Sequence, residues 1–250
     1  MLHITDPHLF ADRNDSLRGT VTYSSLKRVL DHVRDSRWPA DLVALTGDLI
    51  QDDSKAAYGH IVAAMETLGL PVLTVPGNHD VRALMRAALC EPTFYYCGSL
   101  LRDRWLITGI DSCVTGSAGG RVADEELARL RAEIEATTAR HVLVCLHHPP
   151  LPVGSRWLDS VGLENGPEFL NSIAESGKVR AAIFGHVHQR FEGTFETPGA
   201  AIEIVGTPST CRQFKIGSAE FALDDRPPAY RRMELHPDGS VKWELIWVAD

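Results

Sequence analysis

The sequence predicts an α/β protein with mixed sheets and an antiparallel C-terminal part, and three observations support this class. Within the first 190 residues, short apolar runs alternate with segments of helical periodicity, which is typical of strands joined by helices around a parallel sheet. After about Gln189, short strand-like runs follow one another between Gly, Pro and Asp turns. The 250 residues are 44% hydrophobic and 23% charged, which excludes a largely disordered chain.

Six buried strands are predicted in the first part of the chain, each a short apolar run bounded by Gly, Pro, Asp or His. In order they are residues 2–5, 42–46, 72–75, 105–110, 142–146 and 181–184. Helices lie between them, because apolar residues recur there at the i, i+3, i+4, i+7 spacing of one helix face. The predicted helices lie around residues 26–33 and 58–65, over 124–137, and around 168–174.

The C-terminal segment is predicted to add an antiparallel sheet to the same domain. Its strand candidates are residues 191–195, 201–205, 218–223, 230–235 and 241–248. The sequence His-Pro-Asp-Gly at 236–239 has the composition of a hairpin turn. No internal repeat, low-complexity tract or linker-like stretch divides the chain, so residues 1–250 are expected to form a single domain.

Charge and composition exclude several classes of partner. Lys and Arg number 25 against 33 Asp and Glu, a net charge of −8, and no basic block is present. Because binding to polyanions depends on basic clusters, we expect no nucleic-acid partner and no membrane partner. No apolar run approaches the roughly 20 residues of a membrane span, and the N-terminus does not resemble a signal peptide. The five cysteines are scattered and form no CxxC motif, which favours the reducing cytoplasm.

Residues that bind metals follow five of the predicted strands. The motifs are Asp6-Pro7-His8, Gly47-Asp48, Gly77-Asn78-His79-Asp80, His147-His148 and Gly185-His186-Val187-His188. Because the carboxyl ends of the strands in an open α/β sheet form the functional crevice, these side chains are expected to meet at one edge. A single Asp after a strand is usually a turn or capping residue, and a single His a surface or core residue. Five such motifs at five strand ends exceed what these ordinary roles explain.

The chemistry that such a set supports is a centre of two divalent metal ions. Carboxylates, imidazoles and an amide oxygen suit Mn, Fe, Zn and Co better than they suit soft ions. Asp48 is central in chain order, and its carboxylate could bridge two ions roughly 3.5–4 Å apart. Two divalent ions, less two carboxylates and one hydroxide, leave about one positive charge, which suits a phosphodiester whose negative charge grows on attack. Hydrolysis of a phosphate ester is therefore the predicted reaction.

These motifs resemble, in order and spacing, the signature of the calcineurin-like metallophosphoesterases over roughly the first 190 residues. The longer strings LHHPPLPVGSRWLD, GHVHQ and TPSTCRQFK are similar to the bacterial class III 3′,5′-cyclic-AMP phosphodiesterases, and this second resemblance extends to the C-terminus. The resemblance implies a four-layer α/β/β/α sandwich, in agreement with the mixed texture of the sequence.

The resemblance also assigns site residues. It implies that one ion is held by Asp6, His8 and His188, that Asp48 bridges, and that Asn78, His147 and His186 hold the other ion. His79 is implied to be catalytic, beside the substrate phosphate, where it protonates the leaving alkoxide while Asp80 orients its imidazole. The phosphate pocket is implied to consist of His8, Asp48, Asn78, His79 and His188.

The implied activity is hydrolysis of a small-molecule cyclic nucleotide, 3′,5′-cyclic AMP, to 5′-AMP through a metal-bridging hydroxide. The implied cofactors are two divalent metal ions per chain, Fe and/or Mn first, with Zn, Co or Mg as alternatives. Two other functions remain open from the sequence. One is another phosphodiesterase or phosphatase on the same centre, acting on 2′,3′-cyclic nucleotides or glycerophosphodiesters. The other is a non-catalytic scaffold of the same fold.

A few residues near these motifs carry weaker signals. Gln51 stands where purple acid phosphatases have a Tyr, so a tyrosinate-stabilised ferric ion is not expected. Trp157 could stack on a nucleobase or anchor its loop, and Arg82 could touch phosphate or begin a helix in solvent. His148 is expected to point away from the metal ligands. Cys211 is expected to pack against the pocket rather than act as a nucleophile.

Overall fold

The computed structural model describes residues 1–90 and 92–249 and consists mainly of two six-stranded sheets. The elements in chain order are β1 Leu2–Ile4, β2 Ser16–Leu17, β3 Thr20–Val21, α1 Thr22–Ser36, β4 Val43–Thr46, α2 Lys55–Glu66, β5 Val72–Val75, α3 Arg82–Ala88, β6 Phe94–Tyr96, β7 Ser99–Arg102, β8 Trp105–Gly109, α4 Asp124–Ala136, β9 His141–Cys145, α5 Arg156–Asp159, α6 Gly166–Ala174, β10 Val179–Phe184, β11 Phe191–Thr197, β12 Ala200–Gly206, β13 Gln213–Phe214, β14 Leu223–Asp224, β15 Ala229–Leu235 and β16 Val241–Trp247.

Both large sheets are mixed. The first has the strand order β16-β15-β1-β4-β5-β6, in which β1, β4, β5 and β6 are parallel and the β15–β16 hairpin is antiparallel to β1. The second has the order β11-β12-β10-β9-β8-β7, with four parallel strands between antiparallel edges. The central parallel strands β4, β5, β8 and β9 are buried on both faces because each sheet is covered on both sides.

Three apolar cores separate four layers, as the predicted α/β/β/α sandwich requires. Helices α1 and α2 pack on the outer face of the first sheet, and α4 and α6 pack on the outer face of the second. The third core lies between the sheets. Strand β4 shows the alternation, since Val43 and Leu45 belong to the helix-side core and Ala44 belongs to the core between the sheets.

The predicted helices are confirmed by their buried faces. Helix α1 buries Leu26, Val29, Leu30 and Val33. Helix α2 begins after Ser54, whose hydroxyl accepts a hydrogen bond from the backbone N–H of Ala57 at 3.0 Å. None of the helices in residues 1–90 and 92–249 is long and apolar enough to cross a membrane.

The prediction of a separate antiparallel C-terminal sheet is wrong in its detail. The tail forms two long hairpins that extend different sheets, β11–β12 on the second and β15–β16 on the first, and β12 pairs parallel with β10. The predicted strand at 218–223 is also wrong, because this segment is irregular backbone with a bend at 219–220 and pairing begins only at Leu223. The hairpin turn at 236–239 is confirmed, with Gly239 N–H donating to the His236 carbonyl at 3.0 Å.

Candidate metal centre

Five parallel strands, β1, β4, β5, β9 and β10, end at one edge of the sandwich and carry the predicted motifs. Within sets drawn from these motifs, side-chain donor atoms lie within 4.8 Å of one another. The sets are Asp6, His8 and His188; Asp6, Asp48 and His147; His8, Asp48 and His79; and His147, His148 and His186. The structure therefore brings the predicted acidic and imidazole ligands together, as their positions at the ends of the strands predicted.

The backbone at five of these residues lies in the left-handed region, with positive φ. The φ values are 52° at Asp6, 48° at His8, 52° at Asp48, 66° at His186 and 46° at His188. Each such conformation costs a non-glycine residue on the order of 1–3 kcal/mol and concentrates at functional sites. A hydrogen bond between two of these loops stabilises this backbone conformation, since the His8 N–H donates to the Asp48 carbonyl at 3.0 Å.

Two glycines let the loops approach closely enough to form the site. A Cβ atom at Gly77 would lie 2.2 Å from Asp48 Oδ1, and one at Gly185 would lie 2.0 Å from Thr5 Oγ1 and 2.6 Å from Asp6 Oδ2. No side chain fits at those distances. The glycines in the Gly-Asn-His-Asp and Gly-His-Val-His motifs therefore leave room for the carboxylates that follow neighbouring strands.

The two carboxylates are buried among donors. Asp6 accepts a hydrogen bond from Thr5 Oγ1 at 2.5 Å and from the His186 backbone N–H at 3.1 Å, and its Oδ1 lies 3.3 Å from His188 Nε2. Burial alone would raise the pKa of Asp6, but contact with the His188 imidazole brings it below its ordinary value. Asp48 is buried in the same way, and its pKa is held well below the ordinary value by contacts that include His147.

Hydrogen bonds behind three histidines fix which ring nitrogen faces the centre. Nδ1 of His147 donates to the Thr46 carbonyl at 2.8 Å, and Nδ1 of His188 donates to the Arg212 carbonyl at 2.6 Å. Carbonyl oxygens only accept, so each Nδ1 carries a proton and Nε2 is the ring nitrogen that faces the centre. The ring of His8 is oriented in the same way, because its Nδ1 lies 2.9 Å from Oε1 of Gln51 in a neighbouring loop. Burial lowers the pKa of His147, but contact with Asp48 raises it to about 9, so its Nε2 must lose a proton before it can bind an ion.

The ring nitrogens and the Asn78 amide oxygen are placed to bind cations rather than to form hydrogen bonds with one another. Nε2 of His8 and Nε2 of His188 lie 3.1 Å apart, and with both protons on Nδ1 two lone pairs face each other. Asn78 Oδ1 is 3.0 Å from Nδ1 of His186 and 3.3 Å from Nε2 of His147. A cluster of carboxylate, imidazole and amide donors at this density matches the ligand set of divalent ions of the Mn, Fe and Zn type.

His79 lies at the exposed rim of the centre and contacts Gln51 rather than Asp80. Its backbone N–H donates to Asp48 Oδ1 at 2.8 Å, and its ring Nδ1 accepts from the Gln51 amide nitrogen at 3.3 Å. In the described part of the chain, no hydrogen bond joins the Asp80 carboxylate to the His79 ring. Sequence reasoning noted Gln51 only as the replacement of a tyrosine and missed its contacts with His8 and His79, because only the folded loops bring these residues together.

The Asp80 carboxylate instead ties its own loop to the neighbouring elements. It accepts hydrogen bonds from Gly77 N–H at 2.9 Å, Leu49 N–H at 3.2 Å and the Tyr58 hydroxyl at 2.9 Å. Burial and the nearby Asp48 carboxylate raise the pKa of Asp80 to about 7. The expected role of Asp80 as the group that orients His79 is therefore replaced by one that holds the Gly77–Asp80 turn in place.

The residues with weaker signals occupy definite positions. Contrary to the expectation that it points away from the predicted ligands, the ring of His148 contacts two of them, with centroids 5.0 Å from His147 and 4.9 Å from His186. Its Nδ1 accepts from Ser112 Oγ at 2.9 Å and its Nε2 donates to the Ala118 carbonyl at 3.3 Å. Arg82 is held by the Asp111 carboxylate at 3.3 Å and by the Cys113 carbonyl at 3.2 Å. Burial raises the pKa of Cys211 to about 12, which keeps its thiol protonated.

A cavity of about 290 Å³ opens above the centre. Its floor contains predicted ligands, and its sides are mainly apolar and aromatic. The lining includes His8, Asp48, Gln51, Asn78, His79, His186 and His188 on the floor and Leu17, Arg18, Trp157, Leu158, Val161, Arg212, Phe214 and Phe221 on the sides. The cavity therefore joins a polar, metal-binding end to a hydrophobic one, as small-ligand sites commonly do.

Comparison with known proteins assigns the class. The calcineurin-like phosphoesterase family matches residues 1–190, and the chain belongs to this family. A crystal structure of a dimetal phosphatase from Danio rerio has the same fold, with a TM-score of 0.65 and 14% identity over 99% of this chain and 98% of that one. The predicted fold class is confirmed.

Several named proteins are similar in sequence to this chain over nearly its whole length. The 3′,5′-cyclic adenosine monophosphate phosphodiesterase CpdA of Escherichia coli K12 is 36% identical over all of this chain and 90% of its own length. The CpdA protein of Pseudomonas aeruginosa is 33% identical over the same shares. A 3′,5′-cyclic-nucleotide phosphodiesterase of Nostoc is 32% identical over 95% of this chain and 88% of its own. The resemblance read from the motifs thus extends along the whole chain.

Proposed function

We propose that this protein is a metal-dependent phosphodiesterase that hydrolyses 3′,5′-cyclic AMP to 5′-AMP. The observation that carries the proposal is the full-length similarity, 33–36% identity over 98–100% of the chain, to several proteins named as phosphodiesterases for this nucleotide. The buried ligand cluster supports it, because every ligand that the resemblance implies is present in the chain, and five of the seven, His8, Asp48, Asn78, His186 and His188, line the cavity. An intact cluster also disfavours a non-catalytic scaffold.

Two divalent ions fit the cluster. We assign Asp6, His8 and His188 to one ion and Asn78, His147 and His186 to the other, with Asp48 between them. When bound, such ions act as Lewis acids toward the phosphate and supply a water-derived nucleophile near neutral pH. Fe and Mn are the ions that we propose first, since mixed carboxylate and imidazole ligands suit them.

His79 is proposed to protonate the leaving 3′ oxygen. Gln51 donates to Nδ1 of the His79 ring, so the neutral imidazole carries its proton on Nε2. His79 is exposed at the rim of the cavity, where a substrate phosphate would lie beside the cluster. At this exposed rim the ring can take a second proton from solvent, and the imidazolium can then pass its Nε2 proton to an alkoxide that departs from phosphorus and is left as the neutral ring.

Asp48 and Asp80 position His79 through its backbone. Asp48 Oδ1 accepts from the His79 N–H, and Asp80 holds the turn on either side of it. The backbone of His79 is therefore hydrogen-bonded to one of the carboxylates that would hold the ions, which ties the position of its imidazole to the ligand cluster. Displacement of this turn by a fraction of an ångström would misplace the proton donor.

We further propose that residues 1–250 form one domain located in the cytoplasm. Strand β1 at the start of the chain lies between β4 and β15, so both ends of the chain belong to the same sheet. The cysteines at 90, 97, 113, 145 and 211 are all free thiols, which suits a reducing compartment.

The experiment that tests the function is a substrate panel on Mn- or Fe-loaded protein. The panel contains 3′,5′-cyclic AMP, 2′,3′-cyclic AMP and glycerophosphocholine, with Asn78→Ala as the ligand variant and Asn14→Ala, an exposed position, as its control. We expect turnover of 3′,5′-cyclic AMP by the parent and by Asn14→Ala, and at least a hundredfold loss together with lower metal content in Asn78→Ala. Turnover of another panel member alone would disprove the proposed substrate, and full activity of Asn78→Ala would disprove the proposed site.

A further inference from the structure

An aromatic cluster adjoins the metal-binding residues. The ring of Phe214 stacks on the His188 imidazole, with centroids 4.2 Å apart and planes 7° apart. Trp157 and Phe221 contact Phe214 edge to face at 5.1 and 5.3 Å, and they contact each other at 5.3 Å. These three residues, which we call the aromatic wall, therefore extend from a proposed metal ligand toward the surface.

The three residues of the aromatic wall lie on elements that carry none of the proposed metal ligands. Phe214 belongs to strand β13 and Phe221 to the loop that joins β13 to β14, while Trp157 lies on the short helix α5. Together they line one side of the 290 Å³ cavity whose floor is the metal centre. Phe221 is 43% exposed at this position, and a ligand that covered it would remove apolar surface from water.

The charge around the aromatic wall favours an anionic ligand. The Arg18 guanidinium, at the turn between β2 and β3, lies 4.5 Å from the centroid of the Phe221 ring. Arg212 lines the same cavity, and among the described lining residues Asp48 alone carries a carboxylate. Flat aromatic and guanidinium surfaces beside a phosphate-binding centre are the features that bind nucleobases without reading their edges.

We propose that the aromatic wall binds the nucleobase of the substrate while the metal centre binds its phosphate. This inference rests on the proposed function and extends it to the part of the substrate that does not react. A glycerophosphodiester has no ring to place against Trp157 and Phe221, so the aromatic wall selects nucleotides among phosphodiesters. Phe221 is the specificity-determining residue, because it is the exposed member at the mouth of the cavity.

The test measures binding rather than turnover. Isothermal titration calorimetry on Mn-loaded protein compares adenosine 5′-monophosphate with ribose 5-phosphate, which has the same phosphate and sugar but no base. We expect the parent to prefer the nucleotide. We expect Phe221→Ala to bind it about tenfold more weakly and ribose 5-phosphate with unchanged affinity, since stacking on one aromatic ring is worth about this factor or more. Phe221→Tyr, which keeps the ring, should retain the preference.

A matched control comes from the same loop. Ile216 is 46% exposed and does not line the cavity, so Ile216→Ala should bind both ligands as the parent does. Unchanged affinity of Phe221→Ala for the nucleotide, or equal weakening of both ligands, would overturn the inference. So would a parent without base preference. If the parent prefers the nucleotide but does not hydrolyse 3′,5′-cyclic AMP, the proposed function fails and the nucleobase site stands.

Discussion

At the scale of single residues, Gln51 contacts two histidines for which we propose different roles. Its Oε1 accepts from Nδ1 of His8 at 2.9 Å, and its amide nitrogen donates to Nδ1 of His79 at 3.3 Å. One amide therefore sets both tautomers: His8 presents a lone pair to the cluster, and His79 keeps its proton at Nε2. The sequence identified both histidines but assigned the positioning to Asp80, because motif spacing cannot show that Tyr58 and backbone N–H groups occupy that carboxylate.

Replacement of Gln51 tests this coupling. In Gln51→Leu the hydrogen bond to His79 is lost, so we expect kcat for cyclic AMP to fall about tenfold to a hundredfold with KM within about threefold. The nitrogen-15 NMR shifts of the His79 ring should change from a single Nε2–H tautomer to a mixture. Metal content is measured in the same samples, and an unchanged tautomer at normal metal content would contradict the role of Gln51.

His3 links the two sheets and makes stability depend on pH. Its Nε2 lies 2.8 Å from Thr46 Oγ1 and its Nδ1 lies 2.7 Å from Thr207 Oγ1. Burial, with Arg231 nearby, lowers the pKa of His3 from 6.5 to about 3. Between these values the unfolded chain binds the extra proton and the folded chain does not, so His3 opposes folding increasingly as pH falls below 6.5.

This pH dependence can be measured on chelator-treated protein. We expect His3 to lower the free energy of unfolding by about 2 kcal/mol between pH 7.5 and pH 5. Urea denaturation of His3→Gln, which cannot titrate there, should show a pH slope smaller by this amount than that of the parent. Equal slopes in the two proteins would show that His3 does not carry the effect.

At the scale of elements, the ends of the strands could be predicted and the pairing of the tail could not. Strands such as β4 and β9 are buried throughout and mostly apolar, because both faces of each sheet are covered, and this pattern is visible in the sequence. The β11–β12 and β15–β16 hairpins have local patterns that fit one antiparallel sheet equally well. Their separation between two sheets depends on contacts distant in sequence, and Arg231 supplies one of them.

Arg231 of β15 joins the two C-terminal hairpins across the sandwich. It is fully buried, with one amino group 2.9 Å from the carboxylate of Glu192 on β11 and the other 3.1 Å from the Gly206 carbonyl on β12. Loss of Glu192 would leave a buried cation without a counter-ion. We therefore expect Glu192→Ala to lower the free energy of unfolding by about 2 kcal/mol or more, as measured by urea denaturation.

The same carboxylate offers an internal control. Glu192 also pairs with Arg190, whose side chain is exposed, at 3.1 Å. Arg190→Met should change stability by less than about 1 kcal/mol because exposed ion pairs contribute little. A loss in Arg190→Met as large as that in Glu192→Ala would contradict the importance of the buried partner.

At the scale of the whole molecule, two sheets with their strand ends at one edge supply a site that neither could form alone. The first sheet provides Asp6, Asp48 and Asn78, and the second provides His147 and His186. The sequence predicted this convergence because carboxyl ends of parallel strands share an edge. It singled out Trp157 as a residue that could stack on a nucleobase, but it could not place Phe214 and Phe221 beside it, because the segments that carry them have no periodic pattern.

Metal binding should stabilise the whole molecule, because its ligands come from both sheets. At an ion concentration a hundredfold above the dissociation constant, one bound ion contributes about 2.7 kcal/mol. We expect chelation to lower the Tm in scanning calorimetry and added Mn to restore it, with a much smaller response in Asn78→Ala. A Tm that does not respond to chelator or metal would contradict a centre shared between the sheets.

The most direct test of the central claim is the identity of the product made in water enriched in oxygen-18. Metal-loaded protein is incubated with 3′,5′-cyclic AMP, the nucleotide product is separated by chromatography, and its mass is determined by mass spectrometry. We predict 5′-AMP alone, with one oxygen-18 atom in its phosphate, because water attacks phosphorus and the 3′ oxygen leaves. Formation of 3′-AMP, or no nucleotide product while an artificial phosphodiester is still cleaved, would contradict the account.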